Sequence, residues 1–210
     1  MPKVRMTSTI STYAPTGQDR IQGDLFSMNA EEKERLLDEV AKTAQSYEEE
    51  YGGCGRSTLS AIQKCLGICN QEKFQPLFQS MDALTGGVAY HQEMCAAAIA
   101  GVMAIGLVYG PDKMEPLLPQ DNLPMSDAIR KHKEAVQRGH DFVNRFNNEF
   151  DGMRCREVQR KVTGRYWDMG NQDEWALFIT KPYHDKCGLV TGKAAALAVE
   201  VIMEPSDNYV

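Results

Sequence analysis

Apolar positions recur at helical spacing along most of the chain, and alternation with a period of two is almost absent. Asn29 followed by Glu32 has the spacing of an N-cap with a reciprocal acid three residues on. From there Leu36, Leu37, Val40, Ala41, Ala44, Tyr47 and Tyr51 share one face, up to the Gly52-Gly53 break. A second helix is expected from about Ser57, with Leu59, Ile62 and Leu66 inward. Phe74, Leu77, Phe78, Met81 and Leu84 mark a third amphipathic segment, which runs into Gly86-Gly87. The stretch from Met94 to Tyr109 carries no charge and is crowded with Ala, Gly, Ile and Val. Such a run predicts a helix buried on every side. It is not a membrane span, which needs about 20 predominantly apolar residues.

A Pro-rich connector, PDKMEPLLPQDNLPMS, follows Gly110 and reads as an irregular loop inside the domain. Ser126 can cap a long helix to about Phe150, striped by Ile129, Ala135, Val136, Phe142, Val143 and Phe146. Cys155 opens CREVQRKVTG, closed by Gly164. The segment RYWDMGNQDEWALFITKPYH lacks a clear helical period and reads as surface wrapping. Cys187 is expected to begin the last helix, CGLVTGKAAALAVEVIM, which Pro205 stops. The pattern predicts an all-α, single-domain helical bundle around a buried central helix at about 94–109. The bundle spans residues 29–210. Residues 1–28, rich in Thr, Ser, Pro and Gly, are expected to form an extended arm, either loosely ordered or packed on a partner subunit.

Composition narrows the function. A chain of 210 residues can bury one sizeable core, and a net charge of −6 with no basic run argues against a nucleic-acid or anionic-membrane face. The first twenty residues lack an apolar core, so neither signal peptide nor anchor is expected and the protein reads as cytoplasmic. In that reducing compartment six cysteines point to metal, cluster or redox chemistry rather than permanent disulfides. They are Cys54, Cys65, Cys69, Cys95, Cys155 and Cys187, and no CxxC pair occurs among them. Zinc-finger and thioredoxin spacings are therefore absent, as are a phosphate loop, a dinucleotide fingerprint, an HExxH helix and internal repeats. Without CxxCH, covalent haem is not expected.

Cys54, Cys95, Cys155 and Cys187 each stand where a loop is expected to turn into a helix. Free backbone N–H groups and the positive end of the helix dipole favour sulfur as an anion there. Four such starts converging would suit reduced thiolates or an anionic iron–sulfur cluster. Cys65 and Cys69, four apart among apolar residues, read as small core residues. His91, four residues before Cys95, is a weaker candidate metal ligand, and His184, three before Cys187, stands in the same relation. Both read more simply as loop histidines bonded to backbone, and Asp185 as a helix cap. Tyr90, Tyr166 and Trp167 could shield a redox site. Arg154 and Arg156 flank Cys155, where they would lower its pKa. Glu48, Glu49 and Glu50 read as a solvated helix end.

From Cys54 to Met203 the chain resembles the redox-active family named for its cysteines, the C-GCAxxG-C-C proteins. The resemblance rests on Cys54 before STLSAIQ, Cys95 in CAAAIAGVMAIGL, Cys155 in CREV, and Cys187 in CGLVTGKAAALAVEVI. The family motif places Gly before the second cysteine and four after it; Met94 and Ile99 stand there, with Ala100 and Gly101 just beyond. The resemblance implies a helical redox protein, often a homodimer, similar to the iron–sulfur part of split-Soret cytochrome c with its two-iron cluster. The leading expectation is a cluster of two or four irons held by Cys54, Cys95, Cys155 and Cys187, passing electrons to a redox partner protein. A metal-free thiol–disulfide oxidoreductase and a non-catalytic helical metal-binding or scaffold protein are the alternatives.

Overall fold

The computed structural model describes residues 25, 27–69, 71–117, 125–180 and 183–209. The expected N-terminal arm therefore lies almost wholly outside the described residues. Helix α1 (Ala30–Tyr51) begins at the expected capping box: the Asn29 side chain accepts from the Glu32 amide at 3.0 Å, and Glu32 accepts from the Asn29 amide at 2.8 Å. Helix α2 (Cys54–Leu66) follows the Gly52-Gly53 turn and stops at Gly67, whose left-handed conformation suits a residue without a side chain. Helix α3 (Gln71–Met81) continues as a short 3₁₀ turn, Asp82–Leu84. Helix α4 (Ala96–Tyr109) is the uncharged stretch. Helix α5 (Asp127–Phe150) starts at Ser126, whose hydroxyl accepts from the Ile129 amide at 3.2 Å. The short helices α6 (Cys155–Thr163) and α7 (Gln172–Phe178) precede α8 (Tyr183–Ile202). Among the described residues there is no strand, so the fold is all-α, and no helix is long and apolar enough to cross a membrane.

The centre is shared by two helices rather than held by one. Helix α8 packs against α1, α2, α4, α5 and α6, whereas α4 packs against α2, α5 and α8. Small residues set the spacing. A Cβ at Gly192 would lie 2.7 Å from the Ala41 carbonyl oxygen, and the Thr191 hydroxyl sits 3.2 Å from that of Ala44, so α8 and α1 touch nearly backbone to backbone. Gly101 does the same for α4, its face filled by the Phe142 ring of α5. Helix α4 departs from the expected all-round burial. Ile99 and Met103 are half-buried and Val102 is 39% exposed, so among the described residues an apolar stripe on one side is only partly covered.

Two other departures have physical causes. Val136, expected inward, is 55% exposed, while Arg138 is fully buried. The Arg138 guanidinium lies between the rings of Tyr109 and Tyr209, at 3.8 and 4.2 Å from their centroids. It also binds the Glu134 carboxylate and the Val201 and Glu204 carbonyls, closing the C-terminal end of α8. A cation with that many donors can replace an apolar residue where helix carbonyls would otherwise lack partners. The segment expected to wrap the surface contains α7, capped by Asn171, and Trp167, Met169 and Phe178 form a second small core with Tyr183 and Cys187 against it.

Candidate functional site

Five pieces of chain surround a cavity of about 510 Å³ that opens to solvent. The C-terminal turn of α1 supplies Glu48, and the start of α2 supplies Cys54. The loop before α4 supplies Gly86 and Tyr90. Helix α6 supplies Cys155 and Gln159, and α7 with the first turns of α8 supplies Trp175, Phe178, His184 and Cys187. Three of the four expected cysteines thus share one wall, although they are far apart in sequence. Cys95 is not part of the cavity wall.

The placement of Cys95 beside Cys155 comes from a short stretch of paired backbone. Met94 and Arg154 form an isolated antiparallel bridge, in which the Cys95 amide donates to the Met153 carbonyl at 2.8 Å and the Cys155 amide to that of Glu93 at 2.5 Å. The loop leading in is left-handed over most of its length: Gly86, Gly87, Val88, Ala89, Tyr90 and Gln92 all have φ between 50° and 73°. Gly87 is needed for contact as well as for conformation, because a Cβ there would lie 2.6 Å from that of Cys155. The buried Gln92 side chain donates to the Trp167 carbonyl at 2.6 Å, and the Trp167 amide donates to Gln159 at 3.1 Å. These bonds tie the cover built from Trp167 and α7 to the floor of the site.

Cys54 and Cys155 open their helices and Cys95 is the N-cap of α4, as expected. Cys187 does not begin α8: the helix starts at Tyr183, so Cys187 is its fifth residue. Its amide is past the first four, which alone lack an intrahelical carbonyl, so the helix-start argument does not extend to it. Asp185 lies in the first turn of α8 rather than at its cap. Cys65 is half-buried in the last turn of α2, and Cys69 lies beyond it, its amide donating to the Gln63 side chain at 3.0 Å. His91 is exposed and lies outside the cavity wall, whereas His184 is on it.

Burial overrides the helix dipole at all four thiols. It pushes Cys54 and Cys187 well above the usual cysteine range and also raises Cys95 and Cys155. Repulsion among the four, as thiolates, adds to this, with Cys187 feeling Cys155, Cys54 and Cys95. Backbone amides oppose it, those of Ala98 and Ala97 at Cys95 and that of Gly86 at Cys54. Arg156 lowers Cys155 only in part, since Arg154 and Arg156 both pair with Glu93. All six cysteines are free thiols. Among the described residues no group of three or more His, Cys, Asp or Glu side chains is already placed to hold a metal ion.

Glu48 is the residue the sequence reading misplaced. Far from solvated, it is only 4% exposed. Burial pushes its carboxyl up to about 7, against the Ser57 hydroxyl and the Arg56 charge. Its Oε1 lies 3.7 Å from His184 Nε2, and its Oε2 has no hydrogen-bond partner. Val40, Ala44 and Glu48 stand four apart and are all buried, so the signal was present as the continuation of an apolar stripe.

Residues 53–201 match the family model described as "Putative redox-active protein (C_GCAxxG_C_C)". No curated protein matches the chain, and no solved structure does.

Proposed function

Because the chain belongs to the C_GCAxxG_C_C family of redox-active proteins, we infer that its thiol cavity holds an iron–sulfur cluster used for electron transfer. The observation that carries this reading is the gathering of Cys54, Cys155 and Cys187 around one cavity, with Cys95 held next to Cys155 by the Met94–Arg154 bridge. The residues fit such a group in three respects. Thiols are its usual ligands, the amides of Gly86, Ala97 and Ala98 favour charge on sulfur, and the cavity has room for a core of several atoms. Burial disfavours bare thiolates here, and ferric charge would offset that cost. When bound, the cluster supplies one-electron chemistry. The chain's own part is to seat the sulfurs, to give them N–H donors, and to keep water off them with Trp175 and Phe178. Electrons then leave to a redox partner protein.

The protein is also read as a homodimer through the open stripe on α4. That stripe bears no charge, so a second copy can meet it without the repulsion that a net charge of −6 imposes elsewhere.

The test is anaerobic reconstitution with iron and sulfide, scored by metal content and visible absorbance. Wild type should take up both, Cys54→Ser, Cys155→Ser and Cys187→Ser should each lose most of the iron, and Cys65→Ser and Cys69→Ser should retain it. A colourless, iron-free wild type would overturn the reading. One observation favours a second reading, a thiol–disulfide couple: the backbone pairing that seats Cys95 next to Cys155. Under that reading mild oxidation of the metal-free chain yields a Cys95–Cys155 disulfide, detectable by mass spectrometry.

A further inference from the structure

We propose that Glu48 is an oxygen ligand of the cavity's cofactor, filling with Cys54, Cys155 and Cys187 the place that sequence order alone gives to Cys95. The inference rests on the iron–sulfur reading and refines its ligand set.

Cys54, Cys155 and Cys187 line the cavity together with the Glu48 and Asp82 carboxylates and His184, and Cys95 does not. The amides of Ala97 and Ala98 ease the burial of the Cys95 sulfur, without a capping hydrogen bond to it. Glu48 has less support. Its carboxylate is almost completely buried, yet Oε2 has no partner, and the nearby Ser57 hydroxyl donates to the Gly52 carbonyl at 3.2 Å. A buried carboxylate oxygen without a donor is costly to the fold and is retained where a bound group completes it. Glu48 lines the cavity, and a cation is the partner that an oxygen among thiols would accept.

The rest of the carboxyl is already held for such a role. Its Oε1 faces His184 Nε2 at 3.7 Å, and the His184 ring is set edge-on to Phe178 at 6.5 Å between centroids. A histidine beside a carboxylate ligand can support it electrostatically when protonated. Helix α1 makes the position rigid. Glu48 stands one turn after Ala44, whose carbonyl accepts from Thr191 on α8, and one turn before the helix ends at Gly52.

The experiment compares wild type, Glu48→Gln, Glu48→Asp and Cys95→Ser after the same anaerobic loading with iron and sulfide. Iron and sulfide per chain, the visible spectrum and the paramagnetic resonance of the reduced protein are read, together with the melting temperature of each metal-free chain. Glu48→Gln should lose most of the iron and shift the resonance of what remains. Glu48→Asp, which keeps the carboxylate on a shorter arm, should hold an intermediate amount. Cys95→Ser should stay loaded. The metal-free Glu48→Gln chain should melt at or above wild type, which separates a lost ligand from a damaged fold. Loading and spectra of Glu48→Gln equal to wild type, or loss confined to Cys95→Ser, would overturn the proposal while leaving the cluster in place. Failure of wild type to take up iron would overturn both readings.

Discussion

A carboxylic acid raised from 4.5 to about 7 by burial makes the metal-free chain sensitive to pH in a defined direction. Between those values folded Glu48 keeps the proton that the unfolded chain has released. Stability therefore falls as pH rises through that window, and the full cost is present above it. A shift of this size corresponds to roughly 3 kcal/mol. Denaturant titrations of the metal-free wild type at pH 5 and pH 8 should show this loss at the higher pH, and Glu48→Gln should lack that part of it. Parallel pH dependence in the two chains would mean that Glu48 is not buried as a carboxyl. At the level of single residues, the sequence put Cys54, Cys95 and Cys155 at helix starts, as found, but misread the burial of an acid. A thiol between a glycine loop and a helix stands out in any reading, but three consecutive glutamates resemble a solvated helix end. Only the spacing of Val40 and Ala44 distinguishes Glu48 from its two neighbours.

Most helices were legible because their caps and periods are strong. The Asn29–Glu32 box, the Ser126 cap and the Gly67 stop all stand where local chemistry puts them. Helix α7 was not legible: its seven residues are capped by Asn171, but Phe178 serves the small side core rather than the main one. The left-handed loop before α4 could not be read either, since Val88, Ala89, Tyr90 and Gln92 disfavour positive φ. Such conformations cost about 1–3 kcal/mol each and persist where the surroundings impose them. Here the imposing contacts are the Gln92 bond to Trp167 and the bridge at Met94. Val88 is exposed and β-branched, so Val88→Gly should relieve strain and raise the melting temperature, a net gain of about 1 kcal/mol after the added chain entropy of glycine. Gly87→Ala should do the reverse. Its Cβ would collide with Cys155 in a left-handed position, so both stability and iron loading should fall. Calorimetry of the two variants decides the matter, and a destabilised Val88→Gly would show that the loop is not strained.

At the scale of the molecule, α4 has one cysteine of the site at its start and a partly exposed apolar stripe along its length. Cys95 caps the N-terminus of α4, and Ile99, Val102 and Met103 follow along its partly exposed side. A helix apolar on every side was read as buried on every side, and a second copy of the chain would reconcile the pattern with the open face. Gly106 leaves space on that stripe, with no other side chain near the position of its missing Cβ, and Gly139 of α5 lies beside Val102. Val136, one turn before Gly139, extends the same apolar surface. Small residues on adjoining helices let another backbone approach closely, and valines on either side supply area to bury. Light scattering of wild type at micromolar concentration should give twice the mass of one chain. Val102→Glu and Val136→Glu each add a carboxylate to a position that solvent can reach in the single chain, so helical content should be unchanged. In the dimer the same carboxylates would be buried without a partner, at a cost of about 3–5 kcal/mol, which weakens association roughly a hundredfold or more. Monomeric variants with unchanged circular dichroism would establish the α4–α5 face as the contact. A wild type that scatters as a single chain, or variants that remain dimeric, would show that the stripe is open for another reason.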